Sequence, residues 1–137
     1  MTPQFRVEHV AEIGSTNEAV RQRALAGEAE GLVILADCQT AGRGRRGRHW
    51  ESPAGNLYVS ILLRPDRPLA EAATLGFAAV VELGHAIRPL VRTLVENNWP
   101  NDLLIDGKKA AGLLLEAAGL PDGAADWVVL GIGVNIS

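Results

Sequence analysis

The pattern of apolar and polar positions predicts a sheet with two helices packed on it. Ser15-Thr16-Asn17-Glu18 has the Ser-x-x-Glu spacing of a helix capping box, and the helix-forming run to Ala26 stops at Gly27. Residues 32–36 are a continuous branched apolar run, the mark of a strand covered on both faces, and a glycine-rich turn is predicted directly after it. Residues 57–63 form a second strand, entered through Ser52-Pro53-Ala54-Gly55-Asn56 and closed by Arg64-Pro65-Asp66. Pro68 stands where a first helical position falls. The alanine-rich residues 69–87 have few polar positions, so a helix buried against a sheet is expected. A strand over residues 91–95 leads to Trp99-Pro100-Asn101-Asp102. Asp106-Gly107 between apolar stretches predicts a hairpin, with residues 103–105 and 108–115 as its arms. Residues 122–125 read as a loop and 127–130 as a buried strand, after which Gly131-Ile132-Gly133 reads as a glycine turn.

Composition narrows the class. The 137 residues are 47% apolar and 21% charged, without internal repeat, low-complexity tract or linker, which predicts one α+β domain (mixed α/β) over residues 1–137. A single cysteine, Cys38, excludes a disulfide framework and a multi-cysteine zinc site; His9, His49 and His85 have no metal-binding spacing. The apolar stretch over residues 72–83 contains Glu82 and is flanked by Glu71 and His85, so it reads as too short and too charged to span a bilayer. The start shows no basic segment followed by an apolar one, and a cytoplasmic protein without a membrane is expected. The strand that runs out into glycines at the end, with no polar tail, predicts a fragment.

Charge changes the picture more by position than by total. The chain carries 13 Lys plus Arg against 16 Asp plus Glu, yet Arg43, Arg45, Arg46 and Arg48 fall within six positions and leave 9 basic residues for the rest. A basic loop on an acidic body suits a small anion better than a polynucleotide, so no nucleic-acid partner is expected. Gly42-Arg43-Gly44-Arg45-Arg46-Gly47 formally matches G-x-G-x-x-G, but Pro53 follows where a dinucleotide-binding helix should be under way. No Gly-Lys-Ser/Thr exists, which excludes a Walker P-loop. Two readings stay open for the loop: a solvated basic segment, or a lid whose glycines let backbone approach a ligand while its arginines bind oxyanions. Trp50 reads as core or as a stacking platform. Asn101 and Asp102 read as turn residues or polar site groups, Lys109 as an edge charge or a cation aimed at a carboxylate, and Asn135 as a turn residue or a base contact.

The order of these segments is more specific than any one of them. Ser15-Thr16-Asn17, then Gln39-Thr40-Ala41-Gly42-Arg43-Gly44-Arg45-Arg46-Gly47-Arg48 with Trp50, then Trp99-Pro100-Asn101-Asp102, then Lys109 before Ala111-Gly112-Leu113-Leu114-Leu115-Glu116, then Gly131-Ile132-Gly133-Val134-Asn135 resemble the biotin protein ligases, from about Val7 to Ser137. The resemblance implies a class II aminoacyl-tRNA synthetase/biotin synthetase-like fold with a mixed, mostly antiparallel central sheet flanked by helices. It implies an ATP-dependent ligase that forms biotinyl-5'-AMP with Mg2+ and passes biotin to a lysine of a biotin carboxyl carrier domain. A lipoate or octanoate ligase-like acyltransferase and an inactive biotin-binding module are the alternatives. By resemblance, Arg45, Lys109 and Asp102 are catalytic. Ser15, Thr16, Asn17, Gln39, Gly42, Arg43, Gly44, Arg45, Lys109 and Gly112 bind biotin, and Arg43, Arg48, Trp50, Asn101 and Asn135 bind ATP. A homodimer through an exposed sheet edge is compatible with the family, and the family's optional DNA-binding winged helix is not expected in this chain. One departure stands out: Asn98 occupies the place before Trp-Pro-Asn-Asp where the family usually has lysine, which removes a phosphate-directed charge.

Overall fold

A computed structural model of the chain describes residues 4–98 and 100–136. The elements are β1 (Arg6–Ile13), α1 (Thr16–Leu25), β2 (Leu32–Gln39), β3 (Leu57–Leu63), α2 (Ala72–Ile87), β4 (Val95–Asn98), β5 (Asp102–Ile105), β6 (Lys108–Gly119) and β7 (Ala125–Val134). Among the described residues the strands form one seven-stranded sheet in the order β1-β2-β3-β7-β6-β5-β4. β1 and β2 are parallel neighbours joined through α1, and the remaining neighbours are antiparallel. The expected mixed, mostly antiparallel sheet flanked by helices is therefore present.

Alternation along β7 assigns the two helices to opposite faces, because successive strand residues point to opposite sides. Trp127 and Val129 join Leu32, Ile34 and Leu62 under Val20 and Ala24 of α1. Val128 and Leu130 point the other way, where Ala72 packs with Val128, and Val80 with Leu113 and Leu130. Val20 and Leu62 are wholly buried, and each such side chain contributes about 1.5–3 kcal/mol of hydrophobic stabilisation.

Local signals set the ends of α1. Ser15 Oγ accepts from the Glu18 amide at 3.3 Å, while the Glu18 carboxylate turns to Arg21 and Gln22, so only half of the capping box forms. At the other end Glu28 N donates to Arg23 O and Gly27 N to Ala24 O, the paired bonds of a Schellman cap, with Gly27 at φ +91°. Asp106 and Gly107 both have positive φ, as a two-residue type I′ hairpin requires between β5 and β6.

Four expectations need correction. The residues before Ser15, where the pattern predicts no element, form β1, an edge strand whose side chains are mostly exposed. The strand expected at 91–95 lies instead at Val95–Asn98, after a 3-10 turn at Arg88–Leu90, because pairing with β5 and not local apolarity sets its register. Gly131 and Gly133 are no turn: they lie inside β7. The fourth concerns α2, which begins only after a 3-10 turn at Leu69–Glu71 and buries a narrow face, Ala72, Val80 and Gly84. The helical run Leu69–Leu90 is long and apolar enough to cross a membrane by length and composition, more than residues 72–83 suggest, although its inner face packs on the sheet.

Candidate functional site

The face of the sheet that carries α1 is lowered by glycines where β6 and β7 run side by side. Gly112 and Gly133 are direct cross-strand partners, and the Trp50 indole lies on both. A Cβ at Gly133 would come within 2.8 Å of Trp50 Nε1, and one at Gly112 within 3.2 Å of the ring. One pair further along, Gly131 faces the Asn17 amide so closely that a Cβ would overlap it. These glycines permit close approach, which explains why a glycine-rich stretch remains in a strand.

One wall is built from the start of α1 and the end of β2. The Thr16 amide donates to Gln39 Oε1 at 2.8 Å, and Gln39 Nε2 donates to Ser52 Oγ at 3.0 Å. Ser52 Oγ in turn donates to Trp50 O at 2.9 Å. The Gln39 amide is thereby held in one orientation, with its oxygen toward α1. Gly42 packs beneath this arrangement, where a Cβ would meet Ser52 Oγ and Trp50 O at 2.5 Å.

The arginine-glycine segment closes over the floor as a tight loop. Arg43 and His49 form an antiparallel bridge, Gly44 N donates to Arg48 O at 2.6 Å, and Arg48 N donates to Arg45 O at 3.2 Å. Arg45–Gly47 make one 3-10 turn in which Arg46 takes φ 60°, a left-handed conformation that costs an ordinary residue about 1–2 kcal/mol. No helix opens here, in keeping with the rejected dinucleotide motif. Arg43 Nη2 lies 3.0 Å from Glu116 Oε1 and 3.6 Å from Glu18 Oε2. Among the described residues Arg45, Arg46 and Arg48 pair with no carboxylate. The hydrogen bond from Gln22 holds the Glu18 carboxyl below its ordinary value, against burial and with help from Arg21 and Arg43.

The β5–β6 hairpin brings Lys109 Nζ to 3.2 Å from Asp102 Oδ1 and 5.0 Å from the Trp50 ring centroid. Trp50 thus has glycines packed against it and an ammonium group over its ring, and its Nε1 is buried without a hydrogen-bond partner among the described residues.

These walls enclose a pocket of about 430 Å³. Ser15, Thr16, Asn17, Gln39, Arg43, Gly44, Arg45, Arg48, Trp50, Asp102, Lys109 and Gly112 all line it, although they come from five separate stretches of sequence. Three expected residues do not line it. Gly42 lies behind it; Asn101 spends its side chain on a 3.0 Å bond to Leu113 O and borders a smaller cavity beside α2; Asn135 follows β7 and is exposed. Trp99 lies outside the described residues. Sequence reasoning missed Leu114 and Ile132 as lining residues, and Ser60 and Glu116 as polar residues bonded to Asn17. The available signal was a polar residue interrupting or ending an apolar run, at Ser60 in β3 and Glu116 in β6.

The pocket lining combines neutral hydrogen-bonding groups at Thr16 and Gln39 with the cations Lys109, Arg45 and Arg48. It suits an elongated ligand with a polar uncharged head and an anionic tail. Among the described residues no three His, Cys, Asp or Glu side chains cluster as a metal site; Asp102 is a carboxylate on the pocket wall.

Known proteins are similar to this chain in sequence and in fold. The chain is 39% identical over 126 residues to the bifunctional ligase/repressor BirA of Bacillus spizizenii, matching 91% of this chain and 38% of that protein. It is 45% identical over 108 residues to the biotin--[acetyl-CoA-carboxylase] ligase of Paracoccus denitrificans, covering 76% and 44%. The biotin protein ligase of Aquifex aeolicus in complex with biotin and ATP superposes with a TM-score of 0.77 at 31% identity, covering 96% of this chain and 53% of that one. The chain thus spans about half the length of that structure and less of the two sequence relatives, and its sheet has the expected class II aminoacyl-tRNA synthetase/biotin synthetase-like architecture. The model of the biotin/lipoate A/B protein ligase family matches residues 10–135, and the chain belongs to that family.

Proposed function

We propose that this chain carries the site at which biotin is activated by ATP and then passed to a lysine of a biotin carboxyl carrier domain. The observation that carries the reading is the lining of one pocket, which joins the neutral groups of Thr16 and Gln39 to the cations Lys109, Arg45 and Arg48. A urea ring hydrogen-bonds without charge, whereas a valerate tail ends in a carboxylate. A relative with biotin and ATP bound and another named as a biotin--[acetyl-CoA-carboxylase] ligase support the same assignment.

In the first step a biotin carboxylate oxygen attacks the α-phosphorus of ATP, the new C–O–P linkage forms, and the bond to the β-phosphate breaks to release pyrophosphate. Two anions must meet, and their repulsion is the main barrier the protein can lower. Lys109 meets the carboxylate, and Arg45 and Arg48, with no carboxylate partner of their own among the described residues, meet the phosphates. Trp50 provides the planar surface against adenine. Magnesium is commonly held by one or two carboxylates together with substrate phosphates, and Asp102 is the residue that would share it with the triphosphate. In the second step the acceptor amine attacks the acyl carbon and AMP leaves; the amine proton passes to Asp102 or solvent.

Titration of biotin with and without Mg-ATP, together with pyrophosphate release, tests the reading. The expected result is saturable biotin binding, ATP-dependent pyrophosphate release, and rapid loss of adenylate to solution in Arg45→Ala. Biotin binding without pyrophosphate would make the chain a binding module. A chain that melts cooperatively and binds no biotin would overturn the proposal.

A further inference from the structure

We propose that Ser60 and Glu116 are positioning residues: with Asn17 they form a hydrogen-bond chain that turns the Thr16 hydroxyl and ties Arg43 to the strand floor before any ligand arrives. The inference rests on the biotin reading only for the ligand used in part of its test.

Proton counting fixes the direction of the chain. Asn17 Nδ2 donates to Leu114 O at 3.3 Å and to Glu116 Oε1 at 3.1 Å, so Asn17 Oδ1 faces Ser60. Ser60 is wholly buried in an otherwise apolar strand apart from Tyr58, and its hydroxyl has one hydrogen. Asn17 Oδ1 can only accept, so that hydrogen goes to Asn17. Ser60 Oγ also lies 2.7 Å from Thr16 Oγ1, a separation that then needs the Thr16 hydrogen. The other acceptor within reach of Thr16 is Gln39 Oε1 at 3.1 Å, again a protein atom. With its hydrogen committed to the protein in either case, Thr16 presents lone pairs to the pocket. It can accept from a ligand N–H.

The far end of the chain concerns the loop. Glu116 Oε1 receives Asn17 Nδ2 and, at 3.0 Å, Arg43 Nη2. Arg43 therefore directs its charge at a protein carboxylate and anchors the loop, while the remaining arginines are left for anions. The Glu116 and Arg43 side chains are 25% and 38% exposed, which keeps the tie modest and allows the loop to open for ligand entry.

Two double-mutant cycles test this, with stability followed by thermal melts. In the ligand-free protein, Glu116→Gln should raise trypsin cleavage within residues 43–48 by about fivefold, and should add nothing in an Arg43→Ala background, because cleavage follows the open population of the loop. For Ser60→Ala, biotin affinity should fall about tenfold, with no further loss in a Thr16→Val background, since the serine acts through that hydroxyl. Additive effects in either cycle, or unchanged loop cleavage in Glu116→Gln, would overturn the proposal for that residue. If the unaltered chain binds no biotin, the biotin reading fails, yet the cleavage arm still decides Glu116. In that case the Asn17 side-chain amide resonances of nitrogen-15-labelled protein decide Ser60: they should shift in Ser60→Ala, and no shift would overturn its role.

Discussion

The side-chain amide of Asn17 occupies the space that a side chain at Gly131 would fill. One residue belongs to the first turn of α1 and the other to the middle of β7, so this contact sets how closely the helix N-terminus sits on the pocket floor. Gly131→Ala should displace Asn17, strip its bonds to Ser60 and Glu116, and destabilise the fold by about 1–3 kcal/mol, the usual cost of overpacking. Biotin affinity should fall by more than the stability loss explains. Chemical denaturation alongside titration at a temperature where the variant remains folded would separate the two effects.

Lys109 is held in the ligand-free protein by Asp102 and lies over the Trp50 ring. Lys109→Met keeps the apolar stem and removes the charge, and adenylate formation should fall about 100-fold, the scale of losing one oxyanion donor. Asp102→Asn should leave biotin affinity within about threefold, because the pair is partly exposed and contributes little by itself. The slower step in Asp102→Asn should be transfer to the acceptor lysine. Single-turnover measurements of pyrophosphate release and of acceptor labelling would show which step each variant affects.

Asn98 and Asp102 are directly opposed across β4 and β5. Side chains of such a pair project from the same face, so Asn98→Lys would place a cation beside the carboxylate that lines the pocket. Adenylate formation should rise, by up to about tenfold at low ionic strength, while biotin affinity stays unchanged. A pyrophosphate assay across a salt series would test this; an equal gain at every salt concentration would contradict a charge effect.

Arg23 bonds both oxygens of Glu8, at 3.0 and 2.9 Å, and so ties α1 to the edge strand β1. That bidentate bond holds the Glu8 carboxyl below its ordinary 4.5. The carboxyl of Glu18 is lowered too, first by Gln22. A carboxyl whose folded pKa lies below its unfolded one adds stability above the unfolded value and loses it as pH falls through the folded value. Melting temperature should therefore drop as pH is taken below about 4.5, and Glu8→Gln should melt lower at neutral pH with a shallower acid decline. Thermal melts followed by circular dichroism between pH 3 and 7 would resolve the difference in slope, roughly the range over which carboxyls titrate.

Much of the architecture was legible because it is local. The Ser15 cap and the Gly27 stop mark α1, the branched runs mark β2 and β3, and Asp106-Gly107 marks a hairpin, since each depends on backbone preferences within a few residues. The strands that local pattern missed or misplaced are β1 and β4, at the two edges of the sheet, where mostly exposed side chains, many of them polar, leave no continuous apolar run.

The candidate site divides in the same way. Residue types alone, above all the arginine-glycine loop between Gln39 and Trp50, were enough to resemble one family, because charged and planar groups carry chemistry wherever they are placed. Only tertiary structure decided which of them meet. It converted an apparent glycine turn at Gly131 and Gly133 into a strand floor beneath Asn17 and Trp50, placed Asn101 and Asn135 outside the main pocket, and brought Ser60 and Glu116 to Asn17. The physical reason is that close approach and hydrogen-bond direction arise between residues 43 to 114 positions apart, and nothing in the local pattern encodes which partner will fill the space above a glycine.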